Sequence, residues 1–122
     1  MKDIRYDAEG DILYVTFEDA SGQPSTGVEL AENIVFYFNP ETQRPLKMIL
    51  ISYARLLAAS ERQSLPLNGL ADVSASLKKT ILSLLAQSPA ALFLQLVEPE
   101  AVPVPTSRLA EVLTPAVLKA AS

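Results

Sequence analysis

Hydrophobic and polar positions divide the chain into two halves of different period. Through residue 52, short stretches rich in Ile, Val, Tyr and Phe recur between turn residues, the pattern of β-strands. Ile4 and Tyr6 alternate with polar neighbours, Ala8-Glu9-Gly10 makes a turn, and Ile12-Leu13-Tyr14-Val15-Thr16-Phe17 follows, so a hairpin is expected. A loop from Asp19 to Thr26 leads to a short strand, Val28-Glu29-Leu30, and Ala31-Glu32-Asn33 is a tight connection to Ile34-Val35-Phe36-Tyr37-Phe38. A turn from Asn39 to Pro45 then precedes a strand from Leu46 to Ile51. Parallel neighbours would need crossovers of roughly a dozen residues, so these short connections predict an antiparallel meander of about five strands.

Alternation puts Leu13, Val15 and Phe17 on one side of their strand and Ile12, Tyr14 and Thr16 on the other. Ile34, Phe36 and Phe38 oppose Val35 and Tyr37 in the same way, and Leu46, Met48 and Leu50 oppose Ile49 and Ile51. Both sides are therefore partly apolar. A sheet with one wet face alternates more cleanly, so the second face should pack against the chain's own helices or against a second subunit.

After Ser52 the composition shifts to Leu and Ala. Tyr53-Ala54-Arg55-Leu56-Leu57 begins a short helix, and Pro66 and Asn68-Gly69 mark a connector. The clearest helix is predicted from about Asp72, as N-cap, to Gln87, with Val73, Leu77, Ile81, Leu84 and Leu85 on one stripe and Leu82 off it. Residues 91–97, between Pro89 and Pro99, are read as one further strand, and the proline-containing run from Glu98 to Pro105 as extended chain. Thr106 and Thr114 are expected to cap two short terminal helices. The fold class is thus α+β, an antiparallel sheet packed with C-terminal helices. Residues 1–122 form one domain, with 1–57 β-rich and 58–122 a helical elaboration.

A chain of 122 residues is the usual size of one domain. It has no cysteine, which removes thiolate nucleophiles, thiolate metal sites and a disulfide scaffold. The charged start, Met1-Lys2-Asp3-Ile4-Arg5-Tyr6-Asp7, does not have the apolar core of a signal peptide, and no apolar run approaches the length of a membrane span. We therefore expect a soluble, cytoplasmic protein that does not contact a membrane. The formal charge is −4, and the excess of acid lies in the first sixty residues, which hold five basic and nine acidic side chains. Nucleic-acid binding normally rests on a basic face, so this balance disfavours it.

Three segments carry a family resemblance: Tyr6-Asp7 with Glu9, Asp11 and Leu13-Tyr14-Val15; Val28-Glu29-Leu30-Ala31-Glu32-Asn33-Ile34-Val35-Phe36-Tyr37; and Leu50-Ile51-Ser52-Tyr53-Ala54-Arg55-Leu56-Leu57. In this order they resemble domain of unknown function family 2283, over about residues 3–57. The resemblance implies a small antiparallel β domain, often a very short bacterial protein, and brings no established activity or catalytic residue. Family members usually have an Asp near Ser52-Tyr53 and an acidic or small residue at the position of Phe36. This chain is more apolar at both, and residues 58–122 lie outside the resemblance, as an elaboration that covers the sheet.

The acidic turn Asp7-Ala8-Glu9-Gly10-Asp11, with Glu18 eleven positions after Asp7, has some of the offsets of a calcium loop. Such a loop needs glycine at its sixth position, which here is Ile12, and a strand would carry Glu18 far from Asp7. No metal site and no cofactor are expected. Asp7, Glu9, Asp11, Glu29 and Glu32 are the carboxylates available for acid–base work, but all sit in or beside turns. With no histidine or cysteine the common hydrolase triads and dyads cannot be built, and Ser74, Ser76, Lys78 and Lys79 read as the wet face of a helix. Tyr14, Tyr37 and Tyr53, with Arg44, Lys47 and Arg55, could stack and hold a base or ligand, whereas aromatic residues on strands more often serve core or interface.

The leading expectation is a non-enzymatic protein-interaction or oligomerisation module, as a homodimer or with another protein partner, with Tyr14, Val35 and Tyr37 at the interface. The alternative is a small-ligand or nucleic-acid-binding regulator, and a small enzyme using carboxylates comes third. The direction in which the three tyrosines point separates the first two. A shared cleft suits a ligand, and a flat seam suits a partner.

Overall fold

A computed structural model describes residues 2–110. Strands β1 (Asp3–Asp7), β2 (Ile12–Thr16), β3 (Thr26–Ala31), β4 (Ile34–Asn39) and β5 (Arg44–Ile51) form one antiparallel sheet in the order β1-β2-β5-β4-β3. The five antiparallel strands and the α+β class are as the alternation predicts. Their order departs from a simple meander, because the β1–β2 hairpin docks on β5 instead of β3. The loop between β2 and β3 therefore crosses two strands. It is tied down where Asn39 Nδ2 donates to Gln23 Oε1 at 2.9 Å, while Asn39 Oδ1 accepts from the amides of Glu41 and Thr42 and so builds the β4–β5 turn. At the opposite end of β4, Asn33 takes a left-handed φ of 71° in the tight β3–β4 connection, a conformation asparagine tolerates better than most residues.

The second half supplies α1 (Tyr53–Arg62), β6 (Leu65–Pro66), a 3₁₀ turn at Asn68–Leu70, α2 (Ala75–Leu85), a 3₁₀ turn at Ala90–Leu92, β7 (Leu94–Glu98) and β8 (Thr106–Leu109). The strand expected near residues 91–97 is present as β7, shifted toward Pro99 because Ala90–Leu92 coils first. Thr106 does not cap a helix. It opens β8, which pairs with both β6 and β7 in a second, three-stranded sheet, so the elaboration is not purely helical. Local capping chemistry gave way here to pairing between segments some forty residues apart. The helix expected at Thr114 lies outside the described residues. The predicted cap of α2 also moves: Ser74, not Asp72, accepts the Leu77 amide at 3.2 Å.

One side of the large sheet is covered by this second half. Leu13, Val15, Leu30, Ile34, Phe36, Phe38, Met48 and Leu50 are buried there. They share one hydrophobic cluster with Leu57 of α1, Leu67 and Leu70, Ile81, Leu84 and Leu85 of α2, Phe93, Leu94 and Leu109. On the predicted stripe of α2, Ile81, Leu84 and Leu85 are buried while Val73 and Leu77 are half-buried. Two serines satisfy backbone groups inside the cover: Ser60 Oγ accepts from the Leu109 amide at 2.7 Å, and Ser107 Oγ donates to the Leu65 carbonyl at 3.1 Å. The turn at Asn68–Leu70 lies flat on β3, so close that a Cβ on Gly69 would sit 1.7 Å from the Glu29 carbonyl oxygen. Only glycine fits.

Ile81→Ala should therefore cost about 2–5 kcal/mol of stability, as truncation of a buried aliphatic side chain does. Gly69→Ala should lower a urea denaturation midpoint by at least as much, because the obstructing atom is backbone and cannot swing aside. A midpoint no lower than that of the exposed control Lys79→Ala would contradict the packing of this cover on the sheet.

Candidate interaction surface

The acidic turn between β1 and β2 is where sequence chemistry looked most suggestive. There, Asp11 has a left-handed φ of 54° and turns its carboxylate inward. Its Oδ1 accepts the Tyr6 hydroxyl at 2.6 Å, and both its oxygens accept the Ala54 amide, at 3.2 and 3.1 Å. Its carbonyl accepts the Tyr53 amide at 3.0 Å. Asp11 thus caps the first turn of α1 from a distant hairpin, replacing Ser52, whose side chain makes no capping bond and whose φ is 55°. Asp7 is also engaged locally, accepting the Gly10 amide at 3.2 Å, and Glu9 is exposed. Asp7 and Asp11 thus hold the turn and the start of α1 together.

Tyr53 belongs to the same knot. It is buried, with its ring edge-on to Tyr6 at 6.2 Å between centroids. Tyr14 and Tyr37 lie on the other side of the sheet, on strands separated by β5. The three tyrosines share no cleft. Arg44 pairs with Glu18 at 2.8 Å at a sheet end, and Arg55 is exposed on α1.

What Tyr14, Val35 and Tyr37 do share is the face that the described residues leave uncovered. Antiparallel register places Arg5, Tyr14, Ile49, Val35 and Glu29 in one row across all five strands. The neighbouring row runs Asp3, Thr16, Lys47, Tyr37, Gly27. On the other side of the first row, Asp7, Ile12 and Ile51 are aligned. Six large apolar or aromatic side chains, Ile12, Tyr14, Val35, Tyr37, Ile49 and Ile51, are therefore contiguous on this face. Five are half-buried and Ile51 is 36% exposed. Ile12, Ile49 and Ile51 join the three residues singled out from the sequence, and the alternation in β2 and β5 already carries that signal.

Details of the face follow from its strands. The Arg5 guanidinium lies over the Tyr14 ring at 4.3 Å from the centroid, a cation–π contact that draws its charge up over the sheet. The Tyr37 ring lies across Gly27 on the edge strand, where a Cβ would come within 2.6 Å of it. Lys47 lines a hollow at the rim together with Glu18 and Asp19. The charges bordering the face are mixed, Arg5 and Lys47 with Asp3, Asp7 and Glu29. No helix among the described residues is long and apolar enough to cross a membrane. The chain matches no family model, no curated protein and no solved structure.

The Tyr6–Asp11 hydrogen bond, followed by burial, raises the Tyr6 pKa from 10 to about 12. Because the folded value is the higher, this contribution to stability is complete below pH 10 and is lost as pH rises toward 12. Tyr6→Phe should accordingly show a smaller alkaline loss of stability over that interval than the wild type. Asp11→Asn should cost about 1 kcal/mol or more at neutral pH, since it weakens a helix cap as well. Equal alkaline slopes for wild type and Tyr6→Phe in urea titrations would dismiss the assigned bond.

Proposed function

We propose that this chain is a non-enzymatic interaction module that works by self-association, with the uncovered sheet face as its docking surface. The observation that carries the proposal is the continuous patch of Ile12, Tyr14, Val35, Tyr37, Ile49 and Ile51 on a sheet whose opposite face is packed into the hydrophobic cluster. Contiguous apolar patches on a folded surface mark interaction sites, and a patch meeting its own copy needs no second complementary surface. Three further points agree with it. The tyrosines form no common cleft, Asp11 of the β1–β2 turn is engaged in capping α1, and the border of the face is not basic.

The likeness of residues 3–57 to domain of unknown function family 2283 enters this proposal as a statement about the sheet. Of the chain beyond it, residues 58–110 are then the addition that covers one face and leaves the other for a partner. We place the protein in the cytoplasm on the strength of its cysteine-free composition.

Light scattering after size exclusion tests the proposal, with a dimeric mass expected at micromolar concentration. Ile49→Asp puts an unpaired charge at the centre of the patch, which typically costs about 3–5 kcal/mol in a buried interface, so the dimer Kd should rise about a hundredfold or more. Its far-ultraviolet circular dichroism should match the wild type. Tyr37→Asp should act in the same direction but is the less clean variant, because it also uncovers Gly27. A monomeric mass for the wild type at every concentration would end the proposal.

A further inference from the structure

We infer that two copies pair face to face with their β5 strands stacked along the two-fold axis and that Arg5 and Glu29 set this orientation, an inference that rests on the self-association proposed above. Sheets that stack face to face in the aligned manner keep their strands within about 30° of one another. A two-fold axis lying in such an interface therefore runs either along the strands or along the cross-strand rows. The two choices differ in what the central row meets. Its ends carry opposite charges, Arg5 on edge strand β1 and Glu29 on edge strand β3, about 19 Å apart for strands spaced as in any sheet.

An axis along β5 reverses the row. Arg5 then faces the second copy's Glu29 at both ends, Tyr14 faces Val35, and Ile49 meets Ile49 at the centre. An axis along the row does not reverse it, so Arg5 faces Arg5 and Glu29 faces Glu29. Like charges set opposite each other across an interface are strongly disfavoured, so the charges select the first arrangement. Each charge is also available for it. Neither Arg5 nor Glu29 has an ion-pair partner among the described residues, and the stacking of Arg5 on Tyr14 already holds the guanidinium above the sheet. Lys47 is the one residue that meets its own charge on this axis. It sits at the rim beside Glu18 and Asp19, where its long stem lets the ammonium leave the seam.

Charge exchange measured by sedimentation equilibrium tests the orientation. Arg5→Glu alone and Glu29→Arg alone each create two like-charge meetings per dimer and should raise the dimer Kd about tenfold. The double variant Arg5→Glu/Glu29→Arg restores two opposite pairs and should return to within about threefold of wild type. An equimolar mixture of the two single variants should form a mixed dimer more readily than either pairs with itself, because every pair in it is attractive. If the double variant stays as weak as the singles while Ile49→Asp still dissociates the protein, the face is right and this orientation is wrong. If the wild type itself is monomeric, the inference falls with the self-association it rests on.

Discussion

A twisted sheet of five strands presents two faces to be covered, and most of the apolar side chains that the second half of this chain buries go to only one of them. On that side Phe36, Phe38, Met48 and Leu50 meet two helices, two 3₁₀ turns and a small sheet in a single cluster. The other side keeps Tyr14, Val35 and Ile49 half-buried at its centre, with charged residues along its borders. Burial of apolar area is the main favourable term in folding and in association alike. Whatever is not spent inside the chain remains available between chains, and the proposed function follows from that division.

The cover has to be fastened to the sheet at defined points, and backbone groups provide them. Asp11 links the β1–β2 hairpin to the start of α1, so the order of the first turn of that helix depends on a strand pair more than forty residues earlier. At the far edge of the sheet, Gly69 brings the Asn68–Leu70 turn onto β3, a contact no side chain permits. Ser60 and Ser107 complete the attachment of the second sheet. A buried amide or carbonyl without a partner is costly, so these few polar contacts position apolar elements that would otherwise pack in several ways.

The same logic accounts for Asp11 as a structural group of the β1–β2 turn. Asp11 accepts from a hydroxyl and an amide and raises the pKa of its tyrosine partner, which makes Tyr6 a poorer acid and a firmer structural donor. A general base needs a pKa near its working pH and a reacting group within reach. The Tyr6 hydroxyl instead stays protonated throughout the neutral range.

Alternation of side chains along each strand follows from backbone geometry, so the strands, the antiparallel class, the apolar stripe of α2 and the shared face of Tyr14, Val35 and Tyr37 could be read from the residues alone. The extent of β7 was legible to within a few residues, since prolines bound it. What the sequence could not determine was which strands are neighbours, because a connection of nine residues from β2 can reach either beside its own hairpin or across two strands. Only tertiary packing placed β2 against β5, and with it the row that runs from Arg5 to Glu29. Thr106 became a strand residue for a related reason. Pairing with β6 and β7 outweighed a local capping preference, and a local preference is all that a single threonine encodes.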